Sequence, residues 1–282
     1  MTDSTQSSSP DRPYIHGHHN SVLKSHATRT VVNSCAYLLP YINPTDRILD
    51  IGCGPGSITL DLASYIDQGS IIGIDIESAR PALETAQQRA ASEGKKNVTF
   101  QVGNIAKLDF DDGAFDVVHV HQVIQHVSDP VGALREMRRV CRVGGLVAVR
   151  ETAEMVWYPQ LPGLGEWYEL YKRVAKWTGG TYGVGRQLKA LARKAGFKGE
   201  EVLMQDATTW CYSTPEQIDT WAMMWADRIV GSSFRSNAIE SGLACQDDLE
   251  KLREVWKEYA KNEDAWFSLL HGEIIIRKSG DT

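Results

Sequence analysis

Hydrophobic positions along this chain follow two rhythms. Compact apolar runs of strand length occur at 48–51, 71–74, 98–102, 115–120, 146–149, 201–212 and 272–277. Between them apolar residues return every three or four positions, the spacing of a helix with one buried face. Such helices are expected from Ile58, over a stretch carrying Leu83, Ala86 and Ala90, over 131–140, over 187–195, onward from Thr214, and over 247–260. Their ends carry recognisable chemistry: Ser78 and Thr214 stand where N-caps belong, Asp129-Pro130 opens the helix at 131, and Gly94 and Gly144-Gly145 stop the helices before them. Apolar spacing through Val31, Val32, Cys35, Leu38 and Leu39 predicts one further amphipathic helix ahead of the first strand.

The join at 51–57 is the most informative. The first strand breaks at Gly52, Gly54 and Gly56 and a helix follows at once, which predicts a tight turn where a ligand lies against bare backbone. The second strand ends in Asp75, whose carboxylate can accept hydrogen bonds from both hydroxyls of a ribose. A dinucleotide fingerprint requires a third glycine three positions after the second, and Ser57 stands there.

Asp50 followed by Gly-x-Gly-x-Gly instead resembles the first motif of class I S-adenosylmethionine (SAM)-dependent methyltransferases. The resemblance continues in order. Asp75 matches that family's ribose-binding acid; Gly103-Asn104-Ile105 matches the motif whose polar residue meets adenine, with Asn104 in place of the usual Asp; 115–120 and 142–149 match its fourth and fifth strands. It implies an α/β fold: a doubly wound, Rossmann-like sheet of seven strands, the last antiparallel, with helical cap insertions at about 154–186 and 214–267. It also implies SAM as cofactor and methyl transfer to a small molecule. Tyr14-Ile15-His16-Gly17-His18-His19 resembles the segment that folds over the cofactor in ubiquinone and menaquinone C-methyltransferases and fungal small-molecule methyltransferases. Residues 13–42 are accordingly expected to form a lid, and 1–12 to be disordered.

The fourth strand brings the candidate chemistry. In an open parallel sheet, ligands sit outside the carboxyl ends of the strands, which puts His121 and Gln122 beside the transferable methyl, with His126 just beyond. A neutral imidazole suits general-base work on a phenol, hydroxyl, thiol or amine, whereas Gln122 only orients. The expected catalytic set is His121, His126 and Tyr14. The expected cofactor surface is Tyr14, Asp50, Gly52, Gly54, Asp75, Ile76, Asn104, Ile105, His121 and Gln122. His119, on the same face as His121, is expected to satisfy a buried hydrogen bond. The dense aromatics from Trp157 to Tyr182 suit an apolar or aromatic substrate, although aromatics at helical spacing also build cores.

Composition narrows the field further. A chain of 282 residues suffices for one large domain, expected over 13–282. Five scattered cysteines form no Cys-x-x-Cys pair, and the histidines at 16, 18, 19 and 26 have no accompanying cysteine or acid, so neither a disulfide framework nor a metal is expected. A net charge of −6 without a basic block argues against a nucleic-acid partner. With no apolar run near the roughly 20 residues of a membrane span and a polar start, a cytoplasmic protein is expected. Two alternatives share the same motifs: a SAM-binding enzyme that catalyses a non-methylating rearrangement, and a non-catalytic binding subunit. The acceptor atom and the oligomeric state are open at this point.

Overall fold

A computed structural model describes Ile15 and residues 28–280. Strands β1 (Arg47–Ile51), β2 (Ser70–Asp75), β3 (Val98–Val102), β4 (Phe115–His121), β5 (Cys141–Tyr158), β6 (Val202–Tyr212) and β7 (Trp266–Arg277) form one sheet in the order β3-β2-β1-β4-β5-β7-β6. The first five are parallel, and β7 runs antiparallel between β5 and β6. Strand order therefore reverses between β1 and β4, the switch point at which doubly wound sheets open a crevice.

Apolar runs become central strands because both faces are covered. In β1, Ile48 packs with residues of one face while Leu49 and Ile51 pack with those of the other. On the first face lie α2 (Ser57–Leu62), α3 (Arg80–Ser92) and the segment around Leu38; on the second lie α4 (Pro130–Val140) and α6 (Leu188–Lys194). Helix α4 starts as its sequence dictates. Pro130 occupies the first turn, and Asp129 Oδ1 accepts from the Gly132 N–H at 2.8 Å.

The remaining helices, α5 (Pro162–Trp177), α7 (Pro215–Gly231), α8 (Ser233–Glu240) and α9 (Gln246–Ala260), build a cap with its own core. Trp167, fully buried, meets Trp225 and Trp256 edge to face with centroids 4.6 and 4.8 Å apart. Ile15 is buried in this core, and its carbonyl accepts from Asn237 Nδ2 at 3.3 Å. Thr214 caps α7 in a capping box with Gln217, as its sequence requires.

Three expectations need correction. The helix expected through Leu39 is only α1 (Val31–Ser34); Cys35 then leaves helical geometry and a 3-10 turn spans Ala36–Tyr41, with Pro40 inside it. The cause is tertiary: Cys35 is drawn to His119 and Leu38 into the core, while Val32 stays 74% exposed. Ser78 does not cap α3, because a 3-10 turn over Glu77–Ala79 precedes the helix. Strands β5 and β7 continue past the expected ends, pairing as far as Tyr158 with Trp266. The first cap helix accordingly begins at Pro162 rather than near 154.

Candidate active site

Gly52 and Gly54 sit at the tip of β1 with φ of +69° and +54°. A Cβ on Gly52 would lie 2.2 Å from Val123 Cγ2, so the close approach of the two loops depends on the bare backbone there. Asp75, at the tip of β2, ties its neighbourhood together. Its Oδ2 accepts from the Gly54 N–H and its Oδ1 from the Ile76 N–H, both at 2.8 Å. Beside it Ile76 is 40% exposed, an apolar side chain at a strand tip available to a flat ring. Asn104 is exposed, and its Oδ1 closes a turn by accepting from the Ala106 N–H at 2.9 Å. Ile105, in contrast, is buried in the core.

Asp50 stands behind this loop. Its Oδ2 accepts from Thr59 Oγ1 at 2.5 Å, and its Oδ1 lies 2.8 Å from His119 Nδ1, whose other nitrogen faces Cys35 Sγ at 3.4 Å. All four residues are buried. Burial alone pulls His119 down, but Cys35 and the Asp50 carboxylate outweigh it and push its pKa up to about 10. Asp50 therefore braces the glycine loop against the fourth strand, and His119 satisfies the buried hydrogen bond expected of it.

A second polar group lies beside the tip of β4, within the long strands β5, β7 and β6. His121 is paired in register with Arg150, and Arg150 with Glu273. Arg150 Nε donates to Glu273 Oε1 at 2.8 Å, and Arg150 Nη2 lies 3.0 Å from His271 Nδ1. The Trp210 ring is shared: Arg150 and Arg29 lie 4.9 and 5.4 Å from its centroid, and His121 and His271 lie 5.6 and 4.6 Å from it. Gln122 bridges the group, accepting from Arg29 Nη2 at 2.7 Å, and it has φ +56° without being glycine. A residue held in that region marks a position fixed by its surroundings.

His121 is 5% exposed, and neither ring nitrogen has a partner among the described residues. Burial first, then Arg29 and Arg150, drive its pKa well below 6.5, so it is neutral at physiological pH. His126, half-buried on the 3-10 turn at Ile124–His126, is pushed down to about 3 by desolvation and then by Arg29. Both imidazoles are thus neutral but weak proton acceptors, which departs from the general base near physiological pH that the sequence suggested. Glu151, fully buried, accepts from the N–H groups of Val123, Ile124 and Gln125 at 2.8, 2.6 and 3.3 Å, and burial pushes it up to about 7. It fixes the turn that carries Val123 and His126.

The structure thus gathers Gly52, Gly54, Asp75 and Ile76 at one end of the crevice and His121 and Gln122 at the other. Tyr14, with His16, His18, His19 and His26, lies outside the described residues. Sequence reasoning missed Arg29, Arg150, Glu151, Trp210, His271 and Glu273. Arg150-Glu151 interrupting an apolar strand run was the available signal.

The methyltransferase domain family matches residues 42–196. Over 272 residues, 94% of this chain and 96% of the relative, the sequence is 31% identical to an uncharacterised methyltransferase of Schizosaccharomyces pombe. This chain is a class I SAM-dependent methyltransferase. The methyltransferase is also 31% identical to a probable methyltransferase of Aspergillus luteorubrus over 94% of this chain and 97% of that one. It is 33% identical to a demethylmenaquinone methyltransferase of Lactococcus lactis over 55% of this chain and 66% of that one. A Bacillus subtilis protein shares the fold with a TM-score of 0.56 at 20% identity, covering 87% of this chain and 98% of that one.

SAM is the cofactor, and the residues at the strand tips fit it. Asp75 places a carboxylate at the tip of β2, Ile76 offers an apolar surface to a base, and the bare backbone of Gly52 lets its loop approach the one carrying Val123. No helix among the described residues is long and apolar enough to cross a membrane.

Proposed function

We propose that this methyltransferase methylates a small aromatic or apolar metabolite seated between the tip of β4, the middle of β5 and the helical cap. SAM, when bound, supplies an electrophilic methyl group. Asp75 and Ile76 would hold its nucleoside, and the Gly52–Gly54 turn would admit its remainder toward β4. The observation that carries the reading is His121: buried at the tip of β4, next to Trp210, with two ring nitrogens that have no partner among the described residues. A neutral imidazole there accepts a hydrogen bond from the nucleophilic atom of the acceptor and orients it, while Trp210 offers a flat face to an aromatic ring. The surrounding apolar cap excludes water from the approach.

Asp50 enters this reading as the brace behind the loop, and Ile105 through its backbone, since its side chain is buried. A net charge of −6 supports a free metabolite over a nucleic acid. The test is transfer of labelled methyl from SAM to a panel of phenols, aromatic acids and quinols, in wild type and His121→Ala. His121→Ala is expected to lower turnover about tenfold or more, the scale of a lost positioning contact, with SAM affinity changed much less. Unaltered turnover would remove His121 from the reaction. Conversion of an acceptor without label transfer would favour a non-methylating rearrangement, and absence of SAM affinity a binding subunit.

A further inference from the structure

Beneath Trp210, four side chains form an unbroken series of contacts. Arg29 Nη2 meets Gln122 Oε1 at 2.7 Å, Gln122 Nε2 meets His271 Nε2 at 2.8 Å, and His271 Nδ1 meets Arg150 Nη2 at 3.0 Å. A guanidinium only donates, so both ends of the series are donors. The two links between them each have one donating and one accepting end. Starting from Arg29, Gln122 Oε1 accepts and Nε2 donates; His271 Nε2 accepts, and Nδ1 must then carry the proton, directed at an N–H of Arg150. Turning the Gln122 amide round moves the conflict to Arg29 without removing it, and protonating His271 adds a donor. In every arrangement at least one of the three contacts sets donor against donor.

Two further groups share the deficit. Arg150 is 1% exposed and its Nη1 has no acceptor among the described residues; His121, its register partner on β4, has no partner among them for either nitrogen. Glu273 Oε1 takes Arg150 Nε and Thr208 Oγ1, and the Glu151 oxygens take three backbone N–H groups. Buried donors without acceptors are costly, and an anionic oxygen is the group that satisfies several at once.

We propose that Arg150 and His121 form a subsite for a carboxylate carried by the acceptor molecule, which makes the substrate an organic acid. The proposal rests on the methyl-transfer reading for its choice of ligand. Position separates the acceptor from the cofactor: β5 lies three strand spacings, about 14 Å, from the strand that carries Asp75, on the far side of β4. A carboxylate presents two coplanar oxygens, which matches a guanidinium nitrogen and an imidazole N–H on adjacent strands. Trp210 then covers the ring or chain to which the carboxylate is attached.

The test is calorimetric titration, at saturating S-adenosylhomocysteine, of benzoate, 4-hydroxybenzoate, phenylacetate and indole-3-acetate, each beside its uncharged amide. At least one acid is expected to bind about tenfold or more tightly than its amide, the lower end for a charged hydrogen bond. Arg150→Lys keeps a cation for Glu273 but lacks the second guanidinium nitrogen. It should abolish most of that preference while leaving the S-adenosylhomocysteine affinity within about twofold, which also reports that the variant is folded. No preferred acid in the panel, or a preference that survives Arg150→Lys, overturns the subsite. An equal loss of S-adenosylhomocysteine and acid affinity in Arg150→Lys overturns it in favour of the cofactor's own carboxylate. Failure of the wild type to bind S-adenosylhomocysteine would count against the methyl-transfer reading alone, because the acid and amide titrations without it still decide the subsite.

Discussion

Gly52→Ala tests whether the glycine turn works through space or through conformation. The new Cβ would meet Val123 Cγ2 at 2.2 Å, far inside contact distance, while Val123 Cγ1 and Cβ lie at 3.3 and 3.4 Å. Val123 has little freedom to retreat, because its N–H donates to the buried Glu151 at 2.8 Å. Overpacking of this kind costs about 1–3 kcal/mol, and the φ of +69° costs an L-residue about 1–2 kcal/mol more. If the turn relaxes to escape that strain, ligand binding has to restore it. Titration calorimetry should then show S-adenosylhomocysteine binding weakened by about 2–5 kcal/mol, roughly 30-fold to a few thousandfold. The double variant Gly52→Ala/Val123→Ala removes the contact at 2.2 Å and leaves the remaining one at 3.4 Å, an ordinary separation. It should recover the overpacking share, about 5- to 150-fold, and not the conformational share. Wild-type affinity in the single variant would refute the close-approach argument; no recovery in the double variant would show that Val123 is not what the Cβ meets.

Asp75→Ala should weaken S-adenosylhomocysteine by about 1–3 kcal/mol, the loss expected for a charged hydrogen bond; unchanged affinity in the same titration would remove the ribose role. For His119 the folded pKa, about 10, lies above its ordinary value near 6.5. Its stabilising contribution is therefore complete below about pH 6.5 and disappears as pH rises through about 10. Denaturant unfolding of wild type and His119→Gln should differ by about 1.5–3 kcal/mol at pH 6 and converge by pH 10.5; a constant difference would contradict the Asp50 pairing. Trp167→Ala, which empties the centre of the cap core, should cost about 3–5 kcal/mol in the same assay, and a loss below 1 kcal/mol would show that the cap packs without it.

What the sequence made legible was local. The glycine turn, the acid closing β2, and the caps at Asp129 and Thr214 depend on neighbours a few residues away, so their roles follow from spacing alone. What it hid was assembled across the sheet. Arg150 meets Glu273, and Trp210 comes over His271, only because β7 inserts antiparallel between β5 and β6, and that register has no signature in any one segment. The segment 31–41 failed for a related reason: its apolar spacing is helical, but the hydrogen-bonding reach of Cys35 to His119 on β4 overrides it. Asp50 was legible as a motif residue, yet its partners Thr59 and His119 turn it from a presumed ligand contact into a support. His121 ends β4 and His126 follows on the next turn, but their depressed pKa values follow from burial and from Arg29, with Arg150 also acting on His121, and only the folded chain brings these near.

The central claim is that the cofactor crosses the tips of β2 and β1 and presents its methyl group toward β4. A crystal structure with bound S-adenosylhomocysteine tests it most directly. The account predicts both ribose hydroxyls on the Asp75 carboxylate and the sulfur facing His121 across the Gly52 turn. Ribose density away from Asp75, or a sulfur directed away from β4, would contradict it.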